Sequence, residues 1–194
     1  GFTLTEMLIV TVLMVIITGG LVAGLLSGKA SFVASDAATF VQQQSRQAFD
    51  SIVRELREAG NVGTITATNG SIQLNFQIVR GYNDEAGCAD VCWGSELALG
   101  GWVHYAVIGG AGNGRQLVRC ANTSQTGEIT GLGVNCRVLA NSVAHPNTGS
   151  SALFAINGNV VTVNLEIEYL NSALPAGGSR STGVLTSQVR LRNA

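Results

Sequence analysis

GFTLTEMLIVTVLMVIITGGLVAGLL, residues 1–26, decides how the rest of the chain is read. After Glu6 the stretch carries no charge until Lys29. A run of this length matches the ~20 residues with which an α-helix crosses a bilayer, and a helix satisfies its own backbone hydrogen bonds where water is absent. Glu6 is the exception, because a carboxylate inside an apolar span costs ~2.5–3.5 kcal/mol on insertion scales. A charge so placed calls for a partner. A secretory signal peptide has a basic n-region and a small-residue cleavage site; here no Lys or Arg precedes the apolar run and no A-x-A-like site follows it. A plain membrane anchor fits the periodicity equally well.

Working outward, Gly19, Gly20 and Gly24 interrupt the apolar run. A glycine inside a helix costs ~1 kcal/mol relative to alanine, so the adjacent pair Gly19-Gly20 is the expected point of helix loosening. Small residues also let neighbouring helices approach closely, and both readings imply helix–helix contact. Beyond Lys29 the pattern turns amphipathic: Val33, Ala37, Phe40, Val41, Ala48, Phe49, Ile52, Val53 and Leu56 recur at spacings of three and four. Gln42, Gln43, Arg46, Asp50, Arg54, Glu55, Arg57 and Glu58 supply the solvated face. Gly60 is the expected stop. The division is therefore a spanning half of the helix (1–28), an amphipathic half (29–60) and a head (61–194).

The head reads as β-rich. Val62–Thr68 and Ser71–Val79 flank Asn69-Gly70, a strong hairpin signal. Trp102–Ile108 and Arg115–Cys120 flank the glycine-rich stretch 109–114, and Leu153–Ile156 joins Val160–Leu170 through Asn157-Gly158-Asn159. Gly183–Arg192 supplies a last strand. An antiparallel sheet packed on the amphipathic half of the helix buries the apolar face of both, so the fold class is α+β.

Composition narrows the chemistry. The 194 residues carry a formal net charge of −1, which gives no electrostatic case for nucleic-acid binding. Charged residues make up 12%, against a usual ~25%. Four cysteines in such a chain favour an oxidising compartment. They allow three connectivities, of which sequential pairing, Cys88–Cys92 and Cys120–Cys136, is favoured; the tight Cys88–Cys92 loop leaves cross-pairing as the alternative. Their spacing lacks a C-x-x-C with nearby histidine, which argues against a metal. Asp84, Glu85 and Asp90 near Cys88 fit no EF-hand and read as a solvated loop. No haem-attachment or phosphate-binding fingerprint occurs, so no cofactor is expected. His104 and His145 stand apart from any nucleophile pattern, and nothing in the sequence supports an enzyme.

Gly1-Phe2-Thr3-Leu4-Thr5-Glu6, followed at once by the spanning-length run, resembles the cleavage and methylation site of type IV pilins and of the pseudopilins of secretion systems. The resemblance implies a long helix packed on a β-rich head, a prepilin peptidase that cuts after Gly1, N-methylation of Phe2, and Glu6 as the assembly carboxylate. The glycine it has removed on maturation is residue 1 here. QQQSRQAFDSIVRELREAG in the helix and TSQVRLRNA at the end are similar to larger minor pilins and J-type pseudopilins.

The function that follows as an expectation is that of a structural subunit of a pilus-like extracellular filament. It would sit first in a bacterial inner membrane, then be extracted by pilus assembly machinery into a bundle of identical or homologous helices, Glu6 docked on a neighbour's N-terminal amine. The alternatives are a minor pilin or a pseudopilin of a periplasmic type II secretion pseudopilus, and a filament-borne adhesin whose loops near the cysteines bind a surface.

Overall fold

A computed structural model of the chain describes residues 3–67, 72–82, 88, 90–109, 115–144, 152–171 and 179–191. The fold is α+β: one long N-terminal helix, α1 (Leu4–Arg57), packed on antiparallel β-structure. At ~1.5 Å per residue its 54 residues extend about 81 Å. Thr3 is the N-cap, and its side chain and that of Glu6 form a reciprocal capping box. The helix passes through Gly19 and Gly20 without interruption.

The helix ends at Arg57, three residues before the expected stop, and Gly60 instead opens the first strand. Glycine is required there for packing: a Cβ on Gly60 would lie 2.7 Å from the ring of Trp93. Phe40, expected on the buried stripe, is 43% exposed.

Two sheets form rather than the single one expected. The larger contains β1 (Gly60–Thr66), β2 (Ile72–Tyr82), β3 (Val91–Gly94), β4 (Trp102–Ile108), β5 (Gln116–Asn122) and β6 (Cys136–Asn141). Its order is β1-β2-β4-β5-β6, with β3 paired to the far end of β2. The smaller contains β7 (Phe154–Asn157), β8 (Val160–Asn171) and β9 (Ser179–Arg190) in sequence order. Gly158 and Asn159 are the two-residue turn between β7 and β8, where Asn157 pairs with Val160. The expected turns at 69–70 and 110–114 lie outside the described residues, but the registers Thr66↔Ile72 and Ile108↔Gln116 are those of hairpins. β3 and β6 were not expected.

Ser142–Ala144 sews the two sheets together. Val143 donates its N–H to the Arg115 carbonyl beside β5 and bridges Ile167 of β8, while the Glu168 N–H donates to the Ser142 carbonyl. Ser142, at φ 59°, marks the corner.

The larger core lies between helix and sheets. Val41, Ala48, Ile52 and Leu56 of α1 meet Leu74, Phe76, Val103 and Tyr105 of the larger sheet and Phe154, Val161, Val163 and Leu165 of the smaller. β9 crosses closest to the helix at Gly183, where a Cβ would fall 2.7 Å from Val41 Cγ1. All of this contact begins at about Ala37. Residues 4–26 stand clear of the head.

Candidate assembly helix and the head that holds it

The uncovered part of α1 is the surface with the strongest chemical demand. Its best 18-residue window has a mean hydropathy of 2.6 and none of it is buried in the chain. Met7, Leu8, Ile16, Leu21 and Leu25 are each more than half exposed. This is the one helix among the described residues long and apolar enough to cross a membrane. Left in water, so much apolar surface is unfavourable at ~25 cal/mol per Å². Lipid or other helices must cover it.

The two hydroxyls beyond the first turn of this stretch, those of Thr11 and Thr18, are satisfied internally. Thr11 Oγ1 donates to the Leu8 carbonyl at 2.9 Å and Thr18 Oγ1 to the Met14 carbonyl at 2.5 Å. Neither needs a partner in an apolar medium, and the span remains effectively nonpolar.

Glu6 is held by its own N-cap. The Thr3 N–H and Thr3 Oγ1 both donate to Glu6 Oε2 at 2.9 Å, and the Glu6 N–H donates back to Thr3 Oγ1 at 3.4 Å. Both donors reach the same oxygen, which leaves Oε1 exposed at the tip of the helix. The T-x-x-E spacing of Thr3 and Glu6 is the sequence signal of a capping box, a signal the reading of Glu6 as a lone anomaly overlooked. Gly1 and Phe2 lie outside the described residues. Around Gly19, Gly20 and Gly24 a Cβ would meet nothing within 4 Å, so these glycines are not needed for packing within the chain.

At the other end, a polar cluster fixes the helix to the head. Glu55, read from sequence as part of the solvated face, accepts from Tyr105 Oη at 2.9 Å, Arg119 Nε at 2.7 Å and Arg137 Nη2 at 3.0 Å. Arg119 also pairs with Glu96. Burial opposes the charge of Arg119, but its hydrogen bonds to Glu96 and Glu55 prevail and hold its guanidinium above the ordinary arginine range. Burial likewise works against the Glu96 charge, yet the Arg119 bond keeps that carboxyl below the usual range. Burial and then the neighbouring Glu55 charge push the Tyr105 hydroxyl far up, so it serves as a hydrogen-bond donor and not as an acid. The cluster is saturated with partners, which is the signature of a structural lock.

On the opposite face of the larger sheet, the segment 123–131 lies across β2 and β4. Gln73 exchanges two hydrogen bonds with Ile129, Asn75 Nδ2 donates to the Gln125 carbonyl at 2.8 Å, and His104 Nε2 lies 3.0 Å from the Ser124 carbonyl. Burial holds the His104 imidazole below the ordinary histidine value, against the opposing pull of that backbone bond. His104 is thus a tie for this strap. His145, Asp84 and Glu85 lie outside the described residues, and Asp90 is exposed.

The cysteines close two loops, Cys88–Cys92 and Cys120–Cys136. The second bridges directly opposed residues of β5 and β6 and ties off both ends of the strap. Among the described residues no three His, Cys, Asp or Glu side chains converge as metal ligands. No model of a known protein family, no curated protein and no solved structure matches the chain.

Proposed function

We propose that this chain is a structural subunit of a type IV pilus-like filament, inserted in a membrane by residues 4–26 before assembly and packed in a bundle of like helices afterwards. The observation that carries the reading is a helix of about 81 Å whose first half is bare apolar surface while its second half is locked into a disulfide-containing head. A helix that needed only to anchor a head would fit the same bare surface, and its capping box would use Glu6 as well; what supports the filament reading is the second carboxylate oxygen, which that box leaves unused. Glu6, with one oxygen held by Thr3 and the other exposed, supplies a register element: in a low-dielectric bundle it attracts a neighbour's N-terminal ammonium strongly. On this reading Phe2 carries the amine after cleavage behind Gly1, and Gly19-Gly20 is where the helix loosens on packing.

Glu6→Gln, isosteric but uncharged, tests it. Membrane insertion should persist, and incorporation into sheared fibres should fall sharply. Wild-type fibre yield from Glu6→Gln would refute the assembly role.

One observation supports a binding role alongside the structural one. The disulfide-closed loop between Cys120 and Cys136 presents Leu132 and Val134 to solvent, Val134 completely. Replacing both by Ser should spare fibres and abolish attachment if that loop contacts a surface.

A further inference from the structure

We propose that the Cys120–Cys136 bridge is a site of thiol–disulfide exchange, opened by attack of an external dithiol on Cys136, and that His104 accepts the S–H of the Cys120 thiol so formed. The site is independent of the filament reading and belongs equally to a head on a plain membrane anchor.

Strand register places five residues in one row across the larger sheet. Gly63 of β1 pairs with Asn75 of β2, Asn75 with His104 of β4, His104 with Cys120 of β5, and Cys120 with Cys136 of β6. Directly opposed residues of an antiparallel pair share a face, with Cβ atoms ~4.5–5.5 Å apart; here it is the face beneath the strap 123–131. His104 is fully buried there, between Asn75 on one side and Cys120 on the other. Its Nε2 meets the Ser124 carbonyl, which can only accept, so Nε2 carries the proton and Nδ1 the lone pair. Nδ1 is buried with no hydrogen-bond partner among the described residues. Asn75 does not serve it: Nδ2 donates to the Gln125 carbonyl, and Oδ1 is a second acceptor without a partner. A buried acceptor left unpaired is costly. A disulfide sulfur has no proton to give it, and a thiol at Cys120 has one.

The two sulfurs of the bridge are not equivalent. Cys120 is 1% exposed, whereas Cys136 is only partly buried and follows the exposed residues 131–135. A Cβ at Gly133 would come 3.7 Å from Cys136 Sγ, so the neighbour on that side is a residue without a side chain. Access decides which sulfur is attacked, and it selects Cys136. One thiol of the dithiol ionises and its sulfur bonds to Cys136 Sγ. The Sγ–Sγ bond breaks with its electron pair on Cys120, which takes up the released proton and donates the resulting S–H to His104 Nδ1. The second thiol then ionises and attacks the dithiol's own sulfur in the mixed disulfide. Cys136 leaves with the electron pair and takes the second proton; the dithiol is oxidised and the bridge reduced by two electrons. The strap keeps its hydrogen bonds to Gln73, Asn75 and His104 throughout, so the Cys120 thiol stays covered while Cys136 remains the point of capture. Cys88–Cys92 has no such arrangement, since Cys92 is opposed by Gly81, which offers no side chain.

The test uses the detergent-solubilised full chain under native conditions and requires no fibre. Glutathione, a monothiol, halts exchange after the first step; free thiols are then alkylated and every cysteine assigned by peptide mass. Glutathione should be found on Cys136 and the alkyl group on Cys120. The reverse assignment would overturn the proposal, and so would a bridge that opens only at urea concentrations that unfold the head. The second measurement is the reduction equilibrium of this bridge against dithiothreitol. His104→Leu should lower its equilibrium constant about fivefold, the scale of one hydrogen bond made only in the reduced state. Gln73→Leu removes two strap bonds without touching the row and should leave the constant unchanged. No shift from His104→Leu, or an equal shift from Gln73→Leu, would reduce His104 to a tie for the strap and overturn its part. The glutathione assignment is made on the wild-type chain, so it decides the exchange step even where a variant fails to fold.

Discussion

Replacing Glu55 by Ala should be among the most damaging single changes available in the head. Its carboxylate is 14% exposed and receives three side-chain donors from elements 50 to 82 residues distant in sequence. Removing it leaves Arg119, 8% exposed, with Glu96 as its remaining ionic partner, itself half exposed. Breaking a buried ion pair from one side costs ~3–5 kcal/mol because the other charge is left uncompensated. Glu96 offsets part of that, so the expected loss is about 3 kcal/mol. For a chain of this size it corresponds to a fall in Tm of roughly 6–12 °C. Arg137→Ala offers the contrast: its side chain is 53% exposed, and a pair at the surface contributes only ~0.2–1 kcal/mol. The assay is urea unfolding of the detergent-solubilised full chain followed by tryptophan fluorescence, with Trp93 and Trp102 both in the head. Glu55→Ala should move the midpoint several times further than Arg137→Ala. Equal and small shifts would refute the view that this cluster locks the helix to the sheet.

Three other outcomes follow from the same contacts. Because burial depresses the His104 pKa from 6.5, the unfolded chain binds more protons below that pH; stability should be full above it and fall as pH drops through it, with Glu96 adding a second loss below 4.5. His104→Gln should flatten the upper limb in urea titrations between pH 7.5 and 5.5, and an unchanged slope would rule it out as the source. Cys120→Ser with Cys136→Ser opens a loop of fifteen enclosed residues and should cost ~3 kcal/mol, together with faster amide exchange across 123–131; exchange confined to other segments would show that the disulfide does not anchor the strap. Gly183→Ala should cost ~1–3 kcal/mol through overpacking against Val41, and Val41→Ala in the same chain should recover part of it.

The helix was legible in the sequence because its information is local. Uniform apolarity over residues 7–26 and spacings of three and four from Val33 to Leu56 each specify a helix without reference to the rest of the chain. Its end was misplaced by three residues because Gly60 serves a partner, Trp93, that local pattern does not show. β3 and β6 escaped because they are short: β3 alternates in burial over only four residues, and β6, six residues long, shows no clean alternation. Gln73, Asn75 and Gln77 alternate with Leu74 and Phe76 as a solvent face should, yet they are buried: the strap folds back over Gln73 and Asn75, and Gln77 bonds Asn61 and the Gly101 carbonyl. Glu55 looked solvated because its three donors, Tyr105, Arg119 and Arg137, come from β4, β5 and β6, which the pattern along the helix does not show. The disulfide spacing was the one signal in the sequence that hinted at the returning loop.

The two halves of α1 are stabilised by opposite means. The headward half uses directional contacts: a filled core, Glu55 with three donors, and β9 pressed against Val41 at Gly183. These fix one orientation of helix against head. The N-terminal half has almost none, since its hydroxyls are turned back onto its own carbonyls and its side chains meet no part of the chain. Apolar burial is nondirectional and scales with area alone, so lipid and a helix bundle cover this surface about equally well and neither sets an axial position. On the filament reading proposed above, axial position would come from the few polar groups along the helix, and Glu6, with one oxygen bound by Thr3, is the one charge before Lys29.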